Sequence, residues 1–248
     1  MESLQRRGQR FPLPEATYVC AEACRGLAYA HELHDENGRA IGIVHRDISP
    51  PNIMITKQGE VKVANFGLAK AETHSGKTDP GVVKGKFSYL SPEAALGREV
   101  DARADIFSLG IVLWEMLAGR RLFLGETDYA TVKLIQQTNI PRLAPLTPQV
   151  DETFEKLLLK ALTRAPEDRY HSAQAFGDAL TGYLFAHHLR VTHYDIANLV
   201  SNAISEDAPP SKHEISLIDR LIQEELDGGV ALGSEPLRAP AAANVQHH

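Results

Sequence analysis

One stretch of this 248-residue chain decides its fold: His45-Arg46-Asp47-Ile48-Ser49-Pro50-Pro51-Asn52. It reads H-R-D-x-x-x-x-N. A second stretch follows, Asn65-Phe66-Gly67, which reads like D-F-G with an asparagine in place of the aspartate. Between them, two β-prone runs (53–56 and 61–64) flank the turn Lys57-Gln58-Gly59-Glu60 and predict a short hairpin. The chemistry of the chain depends mainly on that one replaced carboxylate.

Most of the rest of the chain has the apolar spacing of α-helices. Pro12 and Pro14 open the first helical pattern, and Ser172 is a suitable N-cap for the last strong one. Residues 65–93 lack periodicity and predict a long loop, which is usually functional in a compact domain. The predicted fold is therefore mainly α with a small hairpin, and its further helices are expected at 102–118, 129–137, 150–162 and 172–185.

Composition excludes several classes of protein. The net charge of −6 and pI near 6.0 give no electrostatic reason to expect nucleic acid or an anionic membrane as partner. The longest apolar run, 106–118, is too short to span a bilayer, and the first residues have no signal-peptide pattern. Cys20 and Cys24 are expected to be small core residues in a reducing compartment. We therefore expect a soluble, cytoplasmic protein without a membrane segment.

Taken together and in this order, the motifs resemble the C-terminal lobe of eukaryotic-like bacterial Ser/Thr protein kinases. The resemblance extends from about residue 2 to about residue 185, and Ser91-Pro92-Glu93 matches the A-P-E that closes the activation segment in that family. It implies the large helical lobe of the α+β kinase fold. It also implies ATP and Mg²⁺ as cofactors and a protein as substrate or as scaffold partner.

The resemblance assigns chemical roles to a few residues. Asp47 corresponds to the catalytic aspartate that accepts or orients the proton of the substrate hydroxyl. Asn52 and Asn65 stand at the two positions that bind ATP-bound magnesium, although an amide at 65 should bind the metal more weakly than a carboxylate. Ser49 and Lys86 stand where the family has lysine and threonine, so Lys86 is hypothesised to supply the missing cation, or else to be a solvated loop lysine.

Other residues receive structural or regulatory roles from the same resemblance. Glu93 and Arg169 are expected to form a buried ion pair, and Asp105 to accept backbone hydrogen bonds from the catalytic loop. Arg46, next to Asp47, is typical of kinases switched by phosphorylation of the activation loop. The remaining structural positions are His45, Phe66 and Gly67, and the candidate phosphorylation sites are Thr73, Ser75 and Thr78, which could equally be ordinary loop hydroxyls.

The sequence also departs from the family. No glycine-rich phosphate loop or V-A-I-K lysine precedes the first helix, so the small N-terminal lobe is expected to be absent. We expect a kinase lobe at 1–186, a helical C-terminal extension at 187–227 and a disordered tail at 228–248. Three functions compete: a Ser/Thr kinase domain inactive or very weak in isolation, a pseudokinase acting as an interaction scaffold, or a truncated gene product.

Overall fold

The computed structural model describes residues 10–66 and 87–207, all within one compact unit, Met1–Asp207. In those ranges it is mainly helical with one two-stranded hairpin, as predicted. The helices are α1 (Leu13–His31), α2 (Pro92–Ala95), α3 (Arg103–Ala118), α4 (Asp128–Gln137), α5 (Glu152–Ala161), α6 (Ala173–Ala186) and α7 (His193–Asp207), with 3₁₀ turns at Pro50–Asn52 and Pro166–Asp168.

Helix α3 forms the centre of the core. From Ala104 to Ala118 every residue is buried, because its sequence is apolar on all sides. The helix ends at Gly119, whose φ of 69° gives the left-handed conformation that glycine adopts without steric cost. Trp114 is buried in this core and donates its indole N–H to the carbonyl of Pro141 at 3.0 Å.

Helices α1 and α6 pack closely against each other. A Cβ added to Gly177 of α6 would lie 2.9 Å from the Cβ of Cys24 in α1, so the two backbones approach where a side chain would not fit. Cys20 and Cys24 are both buried, and burial raises the pKa of each thiol. The prediction that they are core residues is confirmed.

The hairpin consists of β1 (Ile53–Ile55) and β2 (Val61–Val63), paired antiparallel with Ile53 opposite Val63. Gly59 in its turn has a φ of 84°, a value that favours glycine. The side chain of Val63 contacts α1 next to Gly26, so the hairpin is held against the helical body.

Helix α7 has no specific counterpart among the predicted helices, although it falls inside the stretch expected to be a helical extension. At its start Asp195 accepts hydrogen bonds from both the backbone N–H and the hydroxyl of Thr192 at 2.7 Å, which is one half of a capping box. Val191 and Ile196 flank that box as a hydrophobic staple would and join the core. The rest of the expected extension, 208–227, and the tail at 228–248 lie outside the described residues.

None of the helices in the described ranges is long and apolar enough to cross a membrane.

Candidate active site

A buried carboxylate fixes the start of the predicted catalytic loop, residues 45–52. Asp105, in the first turn of α3, accepts hydrogen bonds from the backbone N–H groups of His45 and Arg46, each at 2.8 Å. Its Oδ2 also lies 2.8 Å from Nε2 of His31, the last residue of α1. Because Asp105 is fully buried, these donors replace the water that an isolated carboxylate would need. The loop is therefore tied to two helices at once.

His31 is a site residue that the sequence did not single out. It lies four positions after Leu27, so the i, i+4 spacing places it on the inner side of α1, but that spacing carries no information about Asp105. A histidine at the end of an apolar helix face is common and does not by itself indicate a functional site. Only the fold shows that its ring meets a carboxylate from α3.

The ring of His45 connects the catalytic loop to the end of the hairpin. Its Nε2 lies 2.8 Å from the carbonyl oxygen of Ala64, which can only accept, so Nε2 carries the proton. Its Nδ1 is then free to accept a hydrogen bond from the backbone N–H of Asp47 at 3.3 Å. The edge of the ring meets Phe66 with centroids 4.6 Å apart. The contacts with Ala64 and Asp47 therefore both require the neutral tautomer that carries its proton on Nε2.

Two residues of the site have left-handed backbone conformations. Arg46 has a φ of 66° and Asn65 a φ of 65°, which makes them two of the four non-glycine residues with positive φ in the described ranges. Asparagine tolerates this region, whereas arginine adopts it at a cost. The hydrogen bond from Arg46 N–H to Asp105 holds the strained position.

The side-chain amide of Asn52 orients Asp47, the aspartate that is predicted to be catalytic. Its Nδ2 donates to the backbone oxygen of Asp47 at 2.6 Å and to Oδ2 of the same residue at 2.9 Å. Asn52 is buried, whereas Asp47 is exposed to solvent. The hydroxyl of Ser49 lies 3.4 Å from the same Nδ2. Asp47 is thus held by its buried neighbour while its carboxylate remains accessible.

Asn65 donates its side-chain amide to Asn52, from Nδ2 to Oδ1, at 2.8 Å. The hydrogen-bond network fixes the orientation of both amides. Both partners of Asn52 Nδ2 on Asp47 are oxygens that accept, so the oxygen of Asn52 must face Asn65. Asn65 must then present its donor. The oxygen at position 52 that would ligate a cation is therefore already bonded to an amide hydrogen.

Glu93 and Arg169 form a buried bidentate ion pair, with N–O distances of 2.8 and 2.7 Å. The remaining N–H groups of Arg169 donate to the carbonyls of Thr163, Arg103 and Arg164 at 2.8 to 3.0 Å. Its guanidinium also lies 4.7 Å from the ring centroid of Phe107. Burial alone would raise the pKa of Glu93, but the hydrogen bond and charge of Arg169 outweigh it and lower that pKa.

Several predicted residues lie outside the described ranges, namely Gly67, Thr73, Ser75, Thr78 and Lys86. The exchange of roles between Ser49 and Lys86 therefore stays a hypothesis. Within residues 10–66 and 87–207, no group of three His, Cys, Asp or Glu side chains is arranged to hold a metal ion.

Comparison with known families decides what this site belongs to. The protein kinase domain matches residues 1–181 of the chain. The chain belongs to the protein kinase family. That family uses ATP and Mg²⁺ to phosphorylate proteins.

Individual bacterial kinases are similar to this chain in sequence. Tyrosine-protein kinase MasK of Myxococcus xanthus is 47% identical over 182 residues, which cover 73% of this chain and 28% of MasK. Serine/threonine-protein kinase PknB of Mycolicibacterium smegmatis is 40% identical over 164 residues, 64% of this chain and 24% of PknB. The chain thus spans about a quarter of the length of these curated relatives.

A solved structure shows the same fold. The crystal structure of the PknI kinase domain of Mycobacterium tuberculosis, a C20A mutant, matches with a TM-score of 0.50 at 25% identity. The match covers 70% of this chain and 56% of that domain. The fold of the described lobe is therefore a kinase fold.

Proposed function

We propose that this chain carries the protein-facing side of a protein kinase site and that Asn65 makes its magnesium-dependent phosphoryl transfer very weak. Asp47 would orient the substrate hydroxyl, and Asn52 would hold Asp47 in place. The observation that carries the proposal is the hydrogen bond from Asn65 Nδ2 to Asn52 Oδ1 at 2.8 Å. It places a donor where the family has a negatively charged ligand.

The physical argument concerns charge and occupancy. Mg²⁺ releases its water ligands reluctantly and prefers charged oxygens, so a neutral amide attracts it far less than a carboxylate does. The cation would also have to displace or share the hydrogen bond that now engages Asn52 Oδ1. In phosphoryl transfer the metal neutralises developing charge, and losing it removes a large part of the rate enhancement.

The proposed acceptor is the hydroxyl of a protein serine or threonine. Support comes from the relatives named serine/threonine-protein kinases, such as PknB and Pkn1. The name of MasK makes tyrosine the alternative acceptor. Phosphoamino-acid determination on the product separates these two outcomes.

Metal binding tests the central claim. Mn²⁺ titration followed by electron paramagnetic resonance should show weak binding to the chain and at least roughly tenfold tighter binding to the Asn65→Asp variant, because a carboxylate replaces the amide. Asn139→Asp is the matched control, since it adds the same charge at an exposed position outside the site. Equal affinity in the chain and in Asn65→Asp would contradict the proposal.

Phosphoryl transfer tests the consequence. With labelled ATP and a general protein substrate, the Asn65→Asp variant should transfer more phosphate than the chain itself, and adding Asp47→Asn should abolish the gain. Transfer by the unchanged chain at the rate of Asn65→Asp would show that asparagine is tolerated at this position. If neither transfers phosphate although Asn65→Asp binds Mn²⁺, the pseudokinase scaffold becomes the favoured function.

A further inference from the structure

The first turn of α7 rests directly on the turn of the hairpin. A Cβ built on Gly59 would overlap the carbonyl oxygen of His193 and would lie 2.9 Å from the backbone nitrogen of Ala197. Both atoms belong to the α7 backbone, which cannot move aside as a flexible side chain would. Glycine at position 59 is therefore required twice, by its φ of 84° and by the approach of the helix.

The hairpin turn is itself closed by hydrogen bonds that leave little freedom. Thr56 N–H donates to the carbonyl of Glu60 at 2.9 Å, and Gly59 N–H donates to the carbonyl of Thr56 at 2.9 Å. The hydroxyl of Thr56 accepts a third bond, from Glu60 N–H at 3.1 Å. A displacement at Gly59 is therefore passed into both strands.

The other end of the hairpin carries the site. Ala64 N–H donates to the carbonyl of Asn52 at 2.9 Å, so the last rung of the ladder joins the residues that precede β1 and follow β2. The next residue is Asn65, whose amide bonds to Asn52. At roughly 3.3 Å per residue, Asn52 lies only about 13 Å along the strand from Thr56. The turn that touches α7 and the paired amides thus belong to one short, hydrogen-bonded unit.

Helix α7 is anchored by few side chains. Of its residues 193–204, only Ile196 is fully buried, while Leu199 packs partly against the core. Tyr194 and Ile204 are exposed. An element held by so little buried apolar surface belongs to the least stable part of a fold and opens more often than the core does.

We propose that docking of α7 against the hairpin turn stabilises the conformation of the catalytic loop. When it is docked, it holds the hairpin turn and thereby the pairing of Asn52 with Asn65. When it undocks, the hairpin and the catalytic loop loosen while the helical core stays folded. Displacement of Ile196 from the core would then loosen the pairing of Asn52 with Asn65.

Hydrogen–deuterium exchange on the whole chain tests this coupling without nucleotide or metal, so its result is independent of the proposed function. Ile196→Ala removes the anchor without touching the hairpin, and Gly59→Ala displaces α7 from the other side. Gly38→Ala is the matched control, because Gly38 also has a positive φ, 75°, but has open space around its Cβ position. The α5 segment, Glu152–Ala161, reports on global unfolding.

We expect Ile196→Ala to speed exchange about tenfold in α7 and also in residues 61–65, with α5 unchanged. Gly59→Ala strains the hairpin directly, so its expected effect on α7 is the informative one, and exchange there should also rise about tenfold. Gly38→Ala should change none of these segments. Faster exchange in α7 with residues 61–65 unchanged would overturn the proposal. So would a uniform increase that includes α5, or the same pattern in Gly38→Ala, because each would mean that α7 has no specific effect on the hairpin.

Discussion

The ion pair between Glu93 and Arg169 supports the sharpest prediction about stability. Arg169→Met keeps the aliphatic bulk of the side chain but removes the guanidinium. Five acceptors lose their donor, namely the two carboxylate oxygens of Glu93 and the carbonyls of Thr163, Arg103 and Arg164. At about 1 kcal/mol for each lost bond, the loss is about 5 kcal/mol.

That figure agrees with the measured cost of breaking one partner of a buried pair, about 3–5 kcal/mol. A typical domain is stable by only about 5–15 kcal/mol, so the variant should lose a large fraction of its stability. Urea unfolding followed by the fluorescence of Trp114, the one tryptophan in the chain, measures it directly. Lys156→Met is the matched control, because Lys156 pairs with Glu152 at the surface and its removal should leave the urea midpoint unchanged.

The pH dependence gives a second check on the same pair. The pKa of Glu93 is lowered in the folded chain, because Arg169 outweighs the effect of burial. The stabilisation is therefore complete above the pKa of an unfolded glutamate and is lost as the pH falls through the folded value. The difference between the chain and Arg169→Met should shrink below about pH 4.5. A loss smaller than about 1 kcal/mol at pH 7, or one that grows in acid, would refute this account of the pair.

Three further predictions concern other parts of the lobe. Asp105→Asn replaces one of the two accepting oxygens by a donor and leaves a backbone N–H of the catalytic loop unpaired. Urea unfolding should therefore show that the free energy of unfolding falls by about 1–3 kcal/mol. An unchanged midpoint would contradict the conclusion that Asp105 anchors this loop. Cys20 and Cys24 should resist iodoacetamide at pH 8 and react only in urea, because burial raises the pKa of both thiols; fast labelling of the folded chain would show that α1 opens. Burial also raises the pKa of Tyr170 and Tyr183 to about 12, so the stability they provide is complete below the ordinary value of 10 and is lost as the pH rises toward 12. Replacing both by phenylalanine should reduce that alkaline decline in the urea midpoint, and an identical decline would exclude these two groups as its cause.

The sequence predicted the fold well wherever local pattern was strong. The start of α1, the hairpin around Gly59 and the Ser172 N-cap of α6 all follow from short-range rules on apolar spacing, turns and caps. Helix α7 was not predicted specifically, although Thr192 and Asp195 form the side-chain pair of a capping box. That signal is short, and the apolar stripe behind it is narrow.

The site could be predicted only in part. Motif spacing named Asp47, Asn52 and Asn65, but it could not show that Asn65 donates to Asn52, because that depends on how two amides are oriented in space. His31 escaped for a related reason. Its partner is Asp105, 74 residues away, and no local pattern carries information about a contact over that separation.

The Glu93–Arg169 contact also has a consequence for the order in which the chain can fold during synthesis. The two residues are 76 positions apart, and Arg169 comes near the C-terminal end of the lobe. A nascent chain that has emerged only as far as α5 therefore holds Glu93 without its cation. Helix α1 likewise lacks one of its packing partners until α6 has been synthesised, because its Cys24 packs against that helix. The buried contacts of residues 10–66 and 87–207 are therefore complete only after the last of these helices has been synthesised.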